Sequence, residues 1–342
     1  MKKRLNPFGL STAILLIAAF LSVMVGSTSI SPRLIVEVIF AQLKGTISAF
    51  DPNGVYATIL FNLRLPRMVL LILVGAALAG SGAAYQGLFR NPLADPYLIG
   101  VASGAGLGAV AAMTIHWPYT TLGLLAVPLA AFIGALAAVA FVTQLARVGK
   151  TVPTTNLILA GVVVSAFCSA LSSLLMINAS GDLRRALVWL LGGSTMTGWA
   201  SVVTVLPYAL VGMIVLLAMG HPLNVLQFGD EQAMQLGIPV ARVRWLTIIA
   251  ATLTTAAAVA FAGVIGFVGL IVPHLIRLVW GGDYRKLIPL SFLGGASLLL
   301  LADVVARSVA APQEIPVGII TALLGAPFFL WILRRSKSQN YW

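Results

Sequence analysis

A chain of 342 residues that is 60% hydrophobic and 9% charged, with a mean hydropathy of +1.02, is neither a soluble globular domain nor a disordered segment. Its formal net charge of +12 raises nucleic acid as a partner, but the Lys and Arg residues stand between apolar runs and form no basic block. Membrane topology accounts for them, and no nucleic-acid partner is expected. The runs lack period-two alternation, which excludes a transmembrane barrel and predicts an all-α integral membrane protein of one domain, 1–342, in contact with lipid.

Met1-Lys-Lys-Arg4 precedes an apolar segment from about Leu10 to Val25. Its length suits a signal peptide or a first span; the many spans that follow favour the span, and the basic head places the N-terminus in the cytoplasm. Residues 27–62 mix Pro32, Arg33, Glu37, Lys44, Asp51 and Pro52, and are expected to form an outer loop with one surface helix near Arg33 to Lys44. Span two starts at Arg64-Leu-Pro-Arg67, where Pro66 suits a first helical turn, and its small residues from Gly75 to Tyr85 imply close packing. Gly87 to Tyr97 returns the chain on the inner side. In span three, Gly100, Gly104 and Gly108 recur every four residues, a smooth stripe for helix packing.

Spans four (about Thr121 to Leu145) and five (about Thr154 to Ile177) lead to a second outer segment, 178–199, expected to hold a short interfacial or re-entrant helix. Span six covers about Ser201 to Met219. The cytoplasmic stretch 220–242 that follows belongs to the longest polar interruption of the second half, His221 to Arg244. Here Asp230 is placed to cap a short helix, Glu231 adds negative charge to its first turn, Gly237 supplies a left-handed stop, and Pro239 opens the next helix. A helix of two turns rises only about 10 Å, far less than a bilayer core of about 30 Å, so it lies along the surface. It is either a capped loop joining two spans or a handle for a soluble partner.

Span seven (about Val243 to Phe261) and span eight, kinked at Pro273 within Gly263 to Arg277, come next. His274 and Arg277 suit a buried, hydrogen-bonded histidine beside a snorkelling arginine, or a proton relay. Span nine (about Leu287 to Val305) carries Asp303 four residues before Arg307, the orientation of a helical ion pair, roughly 24 Å along the helix and so near the outer interface. An outer loop, 308–316, containing Glu314, and span ten (about Val317 to Leu333) complete about ten transmembrane helices with both termini cytoplasmic.

Reactive chemistry is sparse. His116, His221 and His274 fall on different loops or ends, Cys168 sits alone in an apolar run, and no metal-binding pattern occurs. Val101-Ala-Ser103-Gly104 and Ala79-Gly-Ser81-Gly82 each miss an intramembrane protease motif by one glycine. Gly149-Lys-Thr151 lacks the glycine that a phosphate-binding loop needs at Gln144. The spans are nearly devoid of the ionisable groups that ion-coupled carriers use. A passive channel or facilitator acting without an ATPase, and a transporter energised from outside, both remain.

Five motifs decide between them: Arg64-Leu-Pro-Arg67; Gly87-Leu-Phe-Arg-Asn-Pro-Leu-Ala-Asp-Pro96; Leu223-Asn-Val-Leu-Gln-Phe-Gly-Asp-Glu-Gln-Ala-Met-Gln-Leu-Gly237; Gly263-Val-Ile-Gly-Phe-Val-Gly-Leu-Ile-Val-Pro-His-Leu-Ile-Arg277; and Leu301-Ala-Asp-Val-Val-Ala-Arg307. In this order, from Arg64 to Leu333, the chain resembles the permeases of bacterial importers for iron-siderophores, haem and vitamin B12. The resemblance implies a type II ABC importer permease fold in the bacterial inner membrane, working as a homodimer with two cytoplasmic ATPase subunits and a periplasmic or lipid-anchored binding protein. It implies a metal chelate as cargo, with a ferric siderophore ahead of cobalamin or haem. No cofactor is expected on this chain, and ATP and Mg belong to the ATPase. By the same resemblance, Phe228, Gly229, Asp230, Glu231, Gln232, Ala233, Leu236 and Gly237 form the coupling helix that docks on the ATPase. Arg64, Arg67 and Arg307 pair with glutamates of the binding protein, and Thr154 and Thr155 match the cytoplasmic gate. The pathway is expected along a dimer interface, around Leu157 to Leu175 and Val188 to Thr197.

Overall fold

The structure, a computed structural model, describes residues 6–26, 30–45, 51, 54–115, 117–118, 120–149, 152–178, 183–193 and 198–336. These residues form helices and connecting turns, with no strand among them. In chain order the helices are α1 (Pro7–Met24), α2 (Pro32–Leu43), α3 (Val55–Leu88), α4 (Val101–Met113), α5 (Thr121–Ala146), α6 (Thr154–Asn178) and α7 (Leu183–Leu190). They continue with α8 (Trp199–Ala218), α9 (Gly220–Leu226), α10 (Asp230–Gln235), α11 (Val240–Ala262), α12 (Val268–Trp280), α13 (Tyr284–Ser308) and α14 (Val317–Ser336). Seven of these helices are long and apolar enough to cross a membrane, and three shorter apolar ones, α4, α12 and α14, bring the set to the ten expected. Lys2, Lys3, Arg4, His116, Lys150, Thr151, Asp182, Ser194 to Thr197 and Lys337 lie outside the described residues.

Two expectations of the sequence shift. Residues 27–62 are not loop throughout: besides α2, the segment from Val55 joins span two as one helix, α3, whose Thr58–Arg64 stretch winds as a π-helix. Pro66 ends this register. In the π register its nitrogen would donate to the Phe61 carbonyl, but proline has no N–H. The indole Nε1 of Trp199, at the start of α8, donates to that carbonyl instead, at 2.9 Å. Second, Gly100 does not join the stripe of α4, because it is the left-handed residue (φ 88°) that opens the helix. Gly104 and Gly108 do pack, against the backbone at Gly134 and Ala130 of α5.

The centre of the bundle is α3, buried almost without break from Leu70 to Leu88. It lies against α13 where Gly75 meets Gly295, and against α12 where Gly82 meets Gly269. A Cβ at any of these glycines would collide with backbone on the facing helix. Contact this close is what associates helices where lipid removes the hydrophobic drive between them. The helix α13, at 25 residues, is about 37 Å long and exceeds the apolar core of a bilayer. The chain therefore has two polar ends: one at Arg67, Asp303 and Arg307, the other at Arg90, Asp230 and Tyr284.

Candidate functional site

At the second of these ends, α8 runs into α9, a tight turn follows, and α10 stands as an isolated helix of six residues, about 9 Å long. Its stop is as the sequence foretold. Gly237 is left-handed (φ 80°). The amides of Gly237 and Ile238 donate to the carbonyls of Met234 and Ala233 at 3.0 and 2.9 Å, a Schellman closure. The start differs. The capping position belongs to Gly229 (φ 113°), and Asp230 is the first helical residue. Its carboxylate turns away from the free amides because guanidinium groups lie closer to hand: Arg244 Nη2 at 2.9 Å from Oδ2, and Arg90 Nη2 at 3.8 Å from Oδ1. A charge-assisted pair outcompetes a neutral amide for the same oxygen.

Three apolar side chains of this element face outward, Phe228 at 72%, Met234 at 58% and Leu236 at 66% exposure, while Ala233 is fully buried beneath them. Glu231 and Gln232 are exposed beside them. The platform below is tied down by polar contacts. Asn224 of α9 donates to Asp283 Oδ1 at 2.6 Å and accepts from the Tyr284 amide at 2.8 Å, and Gln227 donates to the Gly87 carbonyl at 2.9 Å. The Asn224 amide holds the Asp283 carboxyl below its ordinary range, helped by the Arg285 amide and the Arg285 and Lys286 charges and partly opposed by burial.

Arg277 donates to Gln86 Oε1 at 3.1 Å and to the Tyr284 hydroxyl at 3.3 Å. His274 departs from the hydrogen-bonded reading: it is only partly buried, its Nδ1 has no hydrogen-bond partner among the described residues, and its ring meets Phe328 edge-on at 6.1 Å. Thr154 and Thr155 open α6 on this same side, two and three residues after Val152, whose carbonyl accepts from Arg244 Nη1 at 3.4 Å. Neither Arg90, 140 positions from Asp230, nor Arg244, 14 positions from it, stands out in the sequence as its partner.

At the opposite end the three arginines lie together but are not alike. Arg64 is 7% exposed, and its guanidinium donates to the carbonyls of Val23 and Met24 in α1. Arg307, 5% exposed, pairs with Asp303 through Nε at 2.8 Å and donates to the Ser22 carbonyl at 3.0 Å. Arg67 keeps 36% of its side chain exposed while holding Asp303 Oδ1 at 2.8 Å and Glu314 Oε2 at 2.7 Å. Asp303 is completely buried between two guanidiniums. Arg67, Asp303 and Glu314 also line a cavity of about 130 Å³ that reaches Val188, Gly192 and Gly193, the described part of the expected outer pathway. The remaining expected lining, α6, presents Leu159, Val163, Phe167 and Leu174 as an apolar face, each more than half exposed.

A bundle of ten apolar helices with a short surface helix at one end and an arginine cluster at the other has the form of a multi-pass membrane permease. Residues 14–335 match the model of the FecCD transport family, and the chain belongs to that family. It is 50% identical over 273 residues to the cobalamin import system permease protein BtuC of Halobacterium salinarum, covering 80% of this chain and 72% of that protein. Over 350 residues it is 39% identical to the hemin transport system permease protein HmuU of Yersinia pestis, covering 99% of both. A solved metal-chelate type ABC transporter in an inward-facing conformation superposes with a TM-score of 0.79 at 33% identity, over 96% of this chain and 98% of that one. The chain is thus an ABC-importer permease of the cytoplasmic membrane, from a family whose members work with ATPase and substrate-binding partners.

Proposed function

We propose that this chain is the membrane subunit of an ABC importer that carries a metal chelate inward, as two copies joined to two ATPase subunits and fed by a binding protein. The single observation that carries the reading is α10: a short helix seated on one end of the bundle through Ala233 and Asp230, with Phe228, Met234 and Leu236 exposed where an unpartnered protein would bury them. ATP hydrolysis resides in the partner, and closure of the ATPases moves α10. With α10 cytoplasmic, both termini lie in the cytoplasm and the Arg67 end faces out. The apolar face of α6 is suited to a second copy.

Among the three arginines, Arg67 is the one with exposed surface, so docking of the binding protein centres on it, with Arg64 and Arg307 fixing the frame behind. Cargo is a corrinoid or haem ahead of the ferric siderophore that the motifs alone favoured, because the similar permeases bear the names of cobalamin and hemin systems. The test is uptake of cyanocobalamin and of haem into proteoliposomes. The complete complex is expected to take up one of them only with ATP. Uptake by this chain alone, without ATP, would establish the ATPase-independent facilitator instead.

A further inference from the structure

The residue Arg244 lies one turn into α11 and touches two elements remote from each other in the chain. Its Nη2 donates to Asp230 Oδ2 of α10 at 2.9 Å, and its Nη1 donates to the Val152 carbonyl at 3.4 Å, just before Thr154 and Thr155. The guanidinium is largely covered, with 19% of the side chain exposed, and borders a cavity of about 180 Å³ lined also by Met234, Trp245 and Ile248. Val152 itself is 5% exposed, anchored in the bundle. Arg90 stands 3.8 Å from the second Asp230 oxygen, so the carboxylate is held from both sides.

We infer that Arg244 is a positioning residue that transmits movement of α10 to the start of α6. The inference rests on the reading of α10 as the ATPase-docking element. A guanidinium is a planar fork with five donors and can grip a carboxylate and a carbonyl at a fixed separation, which a lysine ammonium on its flexible stem cannot. The two grips are unequal. The 2.9 Å ion pair is the persistent one, and the 3.4 Å bond to a neutral carbonyl is the weaker one that forms and breaks as α10 shifts. Displacement of Asp230 therefore carries the guanidinium with it, so that Val152, and with it the chain into Thr154 and Thr155, is held in one position of α10 and released in the other. The small cavity beside the fork gives Met234 and Trp245 room to reseat.

The experiment uses the complete transporter, permease with its ATPases, in lipid nanodiscs and in a Cys168→Ala background. A nitroxide is placed at Thr155 in one sample and at Gln235, exposed on α10, in another. Addition of Mg-ATP is expected to change the spectrum at both positions in otherwise unaltered protein. With Arg244→Met, a neutral side chain of similar length, the response at Thr155 is lost while that at Gln235 persists. With Arg244→Lys, which keeps the charge and not the fork, the Thr155 response is weakened. An undiminished Thr155 response in Arg244→Met overturns the proposal and leaves α10 docking intact. Absence of any response at Gln235 in the unaltered complex overturns the docking reading, and this proposal with it. Should Arg244→Met fail to assemble, an undiminished Thr155 response in Arg244→Lys is equally contrary.

Discussion

Asp303 is the residue on which the Arg67 end depends, because a fully buried carboxylate is tolerable only with its charge answered, and here two guanidiniums answer it. Asp303→Ala removes the carboxylate and leaves Arg307 buried without a counter-charge. We expect a loss of about 3 kcal/mol or more in stability, read as a lowered unfolding temperature of the purified protein. Glu314 is different, being 46% exposed on a pair that solvent screens. It occupies the one arginine that a docking partner could reach. Glu314→Gln is therefore expected to strengthen binding-protein docking by up to about fivefold, consistent with the roughly 1 kcal/mol ceiling of a surface pair, measured by titration at low and physiological salt. Arg67→Glu is expected to weaken docking in the same assay. At the other end, Asp283 has a depressed folded-state pKa, so its stabilising share is present above its ordinary value of 3.8 and disappears as pH falls below it. Acid unfolding of Asp283→Asn should differ from the parent above that pH and converge with it below. The Asp303–Arg307 pair was legible from its spacing of four, whereas Arg67 and Glu314, 247 positions apart, are joined only by the fold.

Among the elements, α10 shows most clearly what a sequence can disclose. Its length, its site after span six and its glycine stop follow from local rules, since Gly237 is needed for a left-handed residue that any side chain would strain. What local rules missed is that Gly229, not Asp230, opens the helix, because the competing guanidiniums come from Arg90 and Arg244. This changes what mutation should do. Replacing Asp230 by alanine frees Arg244 and disturbs the link to Val152, so Asp230→Ala with Glu231→Ala is expected to lower transport per ATP hydrolysed. Met234→Glu, which puts a charge on the exposed apolar face, is expected to prevent co-purification of the ATPase while the permease still folds. Normal ATPase recovery from Met234→Glu would remove the docking role from this face. The π-helical start of α3 was likewise hidden, for the sequence shows Pro66 but not that Trp199, 133 positions later, replaces the bond it cannot make.

For the whole molecule, a bilayer about 30 Å thick makes ten apolar segments readable, yet it does not make them equal. The helices α4 and α12, at 13 residues each, are only about 20 Å long; a single 3-10 turn, Pro96–Ile99, precedes the first, and irregular chain, 263–267, precedes the second. Such backbone is allowed at membrane depth only when protein covers it. The hydroxyl of Tyr97 donates to the Ile265 carbonyl at 2.9 Å and accepts from the Ile265 amide, satisfying the turn before α12 from the turn before α4. Hydropathy alone could not reveal that exchange. The orientation of the whole can be tested directly, because α13 outlasts the bilayer and separates the two polar ends. In right-side-out vesicles, with Cys168 replaced by alanine, a cysteine at Glu314 is expected to react with a membrane-impermeant maleimide, and a cysteine at Gln235 only after the membrane is opened. The reverse pattern would place α10 outside the cell, where no ATPase could reach it, and would leave the arginine cluster facing the cytoplasm.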